Sequence, residues 1–138
     1  MNRLDGISVR IEGLSWTTQN ALPLLHEIRH ALADFLTDGQ ETTIDLQRLP
    51  MGPADEARLF EILGRGEVEA QLNALGNSLI RETGIPGVWL IEHFNADQQL
   101  VAKLIEVTAM PSFLKSQPED IREGLVKLCE RLATDEGT

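Results

Sequence analysis

Residues 67–108 read EVEAQLNALGNSLIRETGIPGVWLIEHFNADQQLVAKLIEVT, and their pattern decides the fold class. Val68, Ala70 and Leu72 alternate with Glu67, Glu69 and Gln71, and two denser apolar runs, VWLI and LVAKLI, follow. A period of two places successive side chains on opposite faces of a strand. Turn chemistry interrupts the stretch three times, at Leu75-Gly76-Asn77-Ser78, at Gly84-Ile85-Pro86-Gly87 and at Asn95-Ala96-Asp97. The second suits a type II turn, with Pro86 presetting φ and Gly87 where φ must be positive. Strands near 67–73, 79–83, 88–94 and 99–108, joined this tightly, can only pair antiparallel, since parallel neighbours need a long crossover.

Outward from this meander the period changes to that of a helix. Ala21, Leu25, Ile28, Leu32, Phe35 and Leu36 recur at helical spacing, opened by Thr18 or Asn20 and closed by Gly39. Ile44 and Leu46 alternate with Asp45 and Gln47, which predicts a strand over 43–49 that ends at the breakers of LPMGPAD. Pro53 fits a first helical position, with Asp55 and Glu56 in the first turn, where the helix dipole favours acids. Leu59, Phe60 and Leu63 complete that short helix before Gly64. A last helix, led by Ser116-Gln117-Pro118-Glu119, carries Ile121, Leu125, Leu128 and Leu132. Residues 7–11, ISVRI, read as a further short strand. The expected fold is α+β: a mostly antiparallel sheet, a meander of about four to five strands, with helices packed on one face. Residues 1–138 should form a single domain, with 1–17 as an amino-terminal segment of uncertain membership.

The chain's 138 residues suffice for one hydrophobic core, and 42% apolar with 25% charged residues is the balance of a globular domain. Twenty-two acids against 12 bases give a net charge of −10, the wrong sign for nucleic acid or an anionic membrane surface. The single Cys129 excludes an internal disulfide and a multi-cysteine metal site, and a reducing, cytoplasmic setting fits best. The amino terminus has no apolar core for a secretory signal, and no apolar run is long enough for membrane insertion.

The sharpest match to a chemical motif is His26-Glu27-Ile28-Arg29-His30, the H-E-x-x-H pattern in which two imidazoles hold zinc and a glutamate activates water. On a helical wheel, however, His26 and His30 lie about 130–180° from the apolar centre at Ile28 and Leu32, which is the solvated face. His93 is the only other histidine. Cys129 falls beside the apolar stripe of the last helix, as a small buried hydrophobe would. Glu67, Glu69, Glu82, Glu92 and Glu106 sit on predicted strands and should mostly populate the wet face. Glu106 interrupts LVAKLIEV, so it is either an exposed residue near a strand end or a partly buried acid with a partner such as Arg81 or His93. Gly64-Arg65-Gly66 lacks the third glycine of a dinucleotide fingerprint and precedes a strand. No catalytic, metal or cofactor-binding residue is assigned, and the expected function is not enzymatic.

Arg81-Glu82-Thr83-Gly84-Ile85-Pro86-Gly87-Val88-Trp89 is the densest unusual segment, a rigid turn with Trp89 at its base. Trp89 either packs beside Ile91 or marks a recognition edge, where tryptophan is enriched. Together with Leu46-Gln47-Arg48-Leu49-Pro50-Met51-Gly52-Pro53 and Asp55, then Leu63-Gly64-Arg65-Gly66-Glu67-Val68, then Ile105-Glu106-Val107 and Pro111, this segment resembles the carboxy-terminal conserved region of the HupH/HyaF/HoxQ hydrogenase expression and formation proteins. The resemblance covers residues 40–115 and rests on the ordered set, above all GEV followed by ETxxPGVW. It implies an accessory maturation factor or chaperone for a nickel–iron uptake hydrogenase, acting on the iron–sulfur small-subunit precursor before twin-arginine export.

Three functions are therefore weighed: that chaperone, a small zinc-dependent hydrolase built on HEIRH, and a non-catalytic interaction module. The first accounts for the ordered motifs without an active site. Glu82, Thr83, Pro86, Gly87, Trp89, Pro50, Pro53, Asp55 and Glu106 are the candidate protein-binding residues, with no cofactor and with the small-subunit precursor as the expected partner.

Overall fold

The computed structural model describes residues 18–136; the expected strand at 7–11 lies outside them. Helix α1 spans Ala21–Asp38, strand β1 Thr42–Asp45, helix α2 Pro53–Leu63, strands β2 to β5 Glu69–Asn73, Asn77–Glu82, Val88–Phe94 and Leu100–Val107, and helix α3 Pro118–Glu136. All pairings are antiparallel, in the order β1-β5-β4-β3-β2. The α+β reading and the meander of β2 to β5 agree with this. β1 is the fifth strand, added to the free side of β5 with Ile44 opposite Ile105.

The expected strand over 43–49 is cut short at Asp45. Its carboxylate accepts the Gln47 backbone N–H at 3.0 Å and pairs with Arg48 at 3.3 Å, and the chain turns into a 3-10 helix over Leu46–Arg48. A short polar side chain competing for backbone donors is enough to divert a strand. Leu46 nevertheless stays buried.

One face of the sheet meets α1 and α2. Leu24, Ile28 and Ala31 from α1, Leu59 and Leu63 from α2, and Ile44, Val88, Leu90, Ile105 and Val107 from the strands form this inner core. Leu32 and Phe35 pack at its margin, but Leu36, expected on the same stripe, is 86% exposed. On the outer face Ile80, Trp89 and Ile91 form a second cluster with Ala70, Leu72, Leu104 and Leu114. Leu114 comes from a 3-10 turn after β5, Ser112–Leu114.

α3 departs from expectation. Every residue of it is exposed, including Ile121, Leu125, Leu128 and Leu132, and Cys129 is exposed rather than buried. Among the described residues the helices that cover the sheet are α1 and α2. No described helix is long and apolar enough to cross a membrane.

Candidate functional site

The two glycine-bearing motifs, far apart in sequence, fold onto each other at one end of the sheet. The Gly66 N–H donates to the Glu82 carbonyl at 2.9 Å, and the Glu82 N–H to the Val68 carbonyl at 2.9 Å, which extends the β2–β3 ladder beyond its regular strands. The approach is close enough to require glycine. A Cβ on Gly66 would stand 2.4 Å from the Thr83 carbonyl oxygen, and one on Gly84 would stand 2.8 Å from that of Leu63.

The turn from β3 to β4 is built by its own polar groups. The Val88 N–H donates to the Ile85 carbonyl at 3.0 Å, and Gly87 has φ of +94°, as the type II turn requires. Thr83 is buried; its hydroxyl donates to the Val88 carbonyl at 2.8 Å and accepts the Ile85 N–H at 3.2 Å. Trp89 is also buried, its indole N–H donating to the Thr108 carbonyl at 3.1 Å. Both side chains hold the turn to its surroundings, so neither offers a partner its polar atoms. The exposed tip is Ile85 and Pro86, with Glu82 half-buried beside it.

Under this end, between α2 and the inner face of β3 to β5, lies a cleft of about 410 Å³. Phe60 and Leu90 give it an apolar floor, Gly64 and Arg65 form one rim, and Glu82 and Thr83 the other. A row of charges runs along its wall. Lys103 Nζ is 2.6 Å from Glu56 and 3.8 Å from Glu92, and Arg81 is 2.8 Å from the other Glu92 oxygen. Lys103 also lies 5.4 Å from the centre of the Phe60 ring. Glu92 is thus not on a wet face; its side chain is only 14% exposed, between two cations. The cleft thus combines ion-paired charges, an aromatic ring and, at its rim, a threonine hydroxyl already bonded to backbone.

The candidate residues separate into two groups. Glu82, Thr83, Pro86, Gly87, Trp89 and Glu106 belong to the turn end of the sheet, whereas Pro50, Pro53 and Asp55 lie at the opposite end of α2, whose 11 residues span about 16 Å. Asp55 is buried, and its carboxylate accepts the Gly52 N–H at 2.8 Å, the Thr18 N–H at 2.7 Å, the Thr18 hydroxyl at 2.7 Å and the Gln19 N–H at 3.0 Å. It caps α2 and fastens the chain before α1 to it. Pro50 is exposed, its carbonyl accepting from the Thr18 hydroxyl and the Asn20 amide.

Glu106 is half-buried on the outer face, opposite Trp89 and Thr43. Burial first, and the Glu41 carboxylate second, raise its pKa above the ordinary 4.5. Its neighbour is thus an acid. Arg81, the suggested partner, is on the inner face with Glu92, and His93 accepts or donates at 2.6 Å to Ser78.

His26 and His30 are exposed on α1, each within 3.4 Å of an Arg29 guanidinium nitrogen. His93 alternates with Ile91 on the outer face and stacks edge-on against Phe113. The sheet stands between them, so the three histidines cannot share one ion. Among the described residues no group of three metal-ligating side chains converges.

Sequence reasoning missed the cleft wall of Phe60, Arg81 and Lys103, with Glu92 paired to both cations. Part of the signal was present: a turn fixed at residues 85–88 sets the register that places Arg81 opposite Leu90, and Leu79 opposite Glu92. The position of α2 over that row was not encoded locally.

A family model described as HupH hydrogenase expression protein, C-terminal conserved region, matches residues 18–134. The chain is 34% identical over 113 residues to the hydrogenase expression/formation protein HupQ of Azotobacter chroococcum mcd 1, and 30% identical over 123 residues to the hydrogenase-1 operon protein HyaF of Escherichia coli K12. These matches take in 80% and 87% of this chain but 40% of each relative, so the chain spans about two-fifths of the curated relatives' length. The solved structure of a hydrogenase expression protein HupH from Thiobacillus denitrificans superposes with a TM-score of 0.83 at 40% identity, over 86% of this chain and 99% of that one.

Proposed function

Because the chain belongs to the HupH hydrogenase expression protein family, through its C-terminal conserved region, we propose that it is an accessory factor in forming a nickel–iron uptake hydrogenase. It acts in the cytoplasm as a protein-binding chaperone of the iron–sulfur small-subunit precursor and performs no reaction of its own. The relatives named as hydrogenase expression/formation proteins support the process, and the observation that carries the binding mode is the junction of the two motifs. There the sequence invests three glycines, a proline and a buried threonine in holding an exposed Ile85-Pro86 tip beside a charged cleft. A rigid, preorganised edge loses little entropy when it binds.

The partner contacts are assigned to Glu82, Ile85, Pro86 and the Arg65 rim, with Gly87, Thr83 and Trp89 as their support. Capture of purified small-subunit precursor by this chain tests the reading. Arg65→Glu and Ile85→Asp, both at exposed positions, should weaken capture by about 1–3 kcal/mol while leaving the unfolding midpoint nearly unchanged. Wild-type capture by both folded variants would remove the turn end from the interface, and absence of capture by the wild-type chain would overturn the assigned partner.

A further inference from the structure

The cleft between α2 and the sheet reverses the charge of the rest of the chain. The sequence carries 22 acids against 12 bases, yet three of those bases, Arg65, Arg81 and Lys103, line this one cleft. The acid on its rim is Glu82, and the register sets Glu82 opposite Trp89, which clusters with Ile80 on the outer face, so that side chain leaves the strand away from the cleft floor. Two further acids are engaged in pairs: Glu92 holds Arg81 at 2.8 Å and stands 3.8 Å from Lys103, and Glu56 holds Lys103 at 2.6 Å. Arg65 is exposed at the rim and has no ion pair among the described residues. Three cations against two paired acids leave one positive charge, and it is the one whose guanidinium is uncommitted.

The surroundings of that charge decide the class of ligand. Phe60, half-buried, and Leu90, buried, make the floor apolar, so a ligand that fills the cleft brings an apolar group as well as an anion. A volume of about 410 Å³ falls in the usual range of ligand pockets. One guanidinium meets one carboxylate through two parallel N–H···O bonds and neutralises it. A phosphate dianion suits the site less. α2 ends here, at Leu63, and the carbonyl end of a helix carries partial negative charge, the opposite of the amide end that cradles phosphate.

We infer that this cleft binds a carboxylate carried on an apolar group, Arg65 taking the carboxylate and Phe60 and Leu90 the apolar part. Resting on the function proposed above, the protein partner presents that group as an acidic side chain next to an apolar one. Amide NMR titration of the full chain with phenylbutyrate tests the chemistry, with its uncharged amide and phenyl phosphate for comparison. Phenylbutyrate should shift the Gly64, Arg65 and Leu90 signals and saturate with a dissociation constant on the order of 1 mM, as expected of a fragment of this size. The amide and the phosphate should bind at least about fivefold more weakly. Arg65→Gln should abolish the preference for the acid over the amide while leaving the unfolding midpoint unchanged. Equal affinity for acid and amide, a preference for the phosphate, or shifts confined to residues away from the cleft would overturn the inference. Phenylbutyrate added at saturation to captured small-subunit precursor then identifies the source. Release of the precursor supports a carboxylate on the partner; a precursor retained beside a filled cleft would overturn that source in favour of a free small acid. Absence of capture by the wild-type chain would overturn the partner itself, whereas the titration judges the cleft independently of it.

Discussion

Helices α2 and α3 begin alike and end in opposite surroundings. Each opens on a proline, Pro53 or Pro118, and each carries two acids in its first turn, Asp55 and Glu56 or Glu119 and Asp120. Each has an apolar stripe. Yet α2 buries Leu59 and Leu63 in the inner core and is fixed by the Asp55 carboxylate, whereas α3 buries none of its residues. Amphipathicity says that a face is made to be covered, but not by what. The stripe of the α1–α2 layer lies on the sheet, and that of α3 stays exposed among the described residues.

The sharpest test of that contrast is the same deletion in both helices. Leu59 is fully buried, so Leu59→Ala should cost about 2–5 kcal/mol in urea unfolding. Leu128→Ala, measured in dilute solution, should change the domain's stability by less than about 0.5 kcal/mol. Equal losses would mean that α3 packs on its own domain.

Next in size is the anchor that α3 lacks. Asp55→Asn keeps the shape of the side chain but turns an amide towards donors that a carboxylate satisfied, and should cost about 2–3 kcal/mol. Glu119→Gln, in the first turn of exposed α3, should fall within about 0.5 kcal/mol. A harmless Asp55→Asn would show that the carboxylate does not hold α2 in place.

Thr83→Val separates architecture from contact at the turn end. The hydroxyl is buried and bonded to Val88 and Ile85, so its loss should cost about 1–2 kcal/mol of stability. A midpoint within error of the wild type would return Thr83 to the list of direct contacts.

The smallest effect is at Glu106. Because its pKa is raised in the folded chain, the native state binds the proton more tightly than the unfolded state. Its contribution to stability is full below 4.5, the unfolded value, and is lost as pH rises through the native value. Glu106→Gln should therefore flatten the stability profile over that window and raise the melting temperature at neutral pH. An unchanged slope would place the carboxylate in water, away from Glu41.

Local chemistry was enough for several of these features. The Pro86-Gly87 turn, the period-two runs around it and the Pro53 helix start were all legible, because φ preferences and side-chain alternation act within a few residues. The inner face of α1 was legible at Ile28 and Leu32 but not at Leu36, since periodicity gives a direction and not the edge of the layer it meets. The candidate site was legible as a set of motifs and not as a place. Gly66 and Gly84 could be noticed, but not that Gly66 presses on the backbone of Glu82 and Thr83, and Gly84 on that of Leu63. Glu82 and Asp55 could both be singled out without any sign that α2 holds them at opposite ends.

By itself the sequence determined an antiparallel α+β chain, its turns and the helices' apolar faces, because propensity, capping and alternation are short-range. Only the tertiary structure decided that β1 joins the free side of β5, that Thr83, Trp89 and Asp55 are buried supports, and that Arg81 and Lys103, both paired with Glu92, line one cleft. It alone decided that α3 stands clear of the sheet. These outcomes depend on which surfaces, distant in sequence, exclude water together, and the inner face of the sheet was filled by α1 and α2.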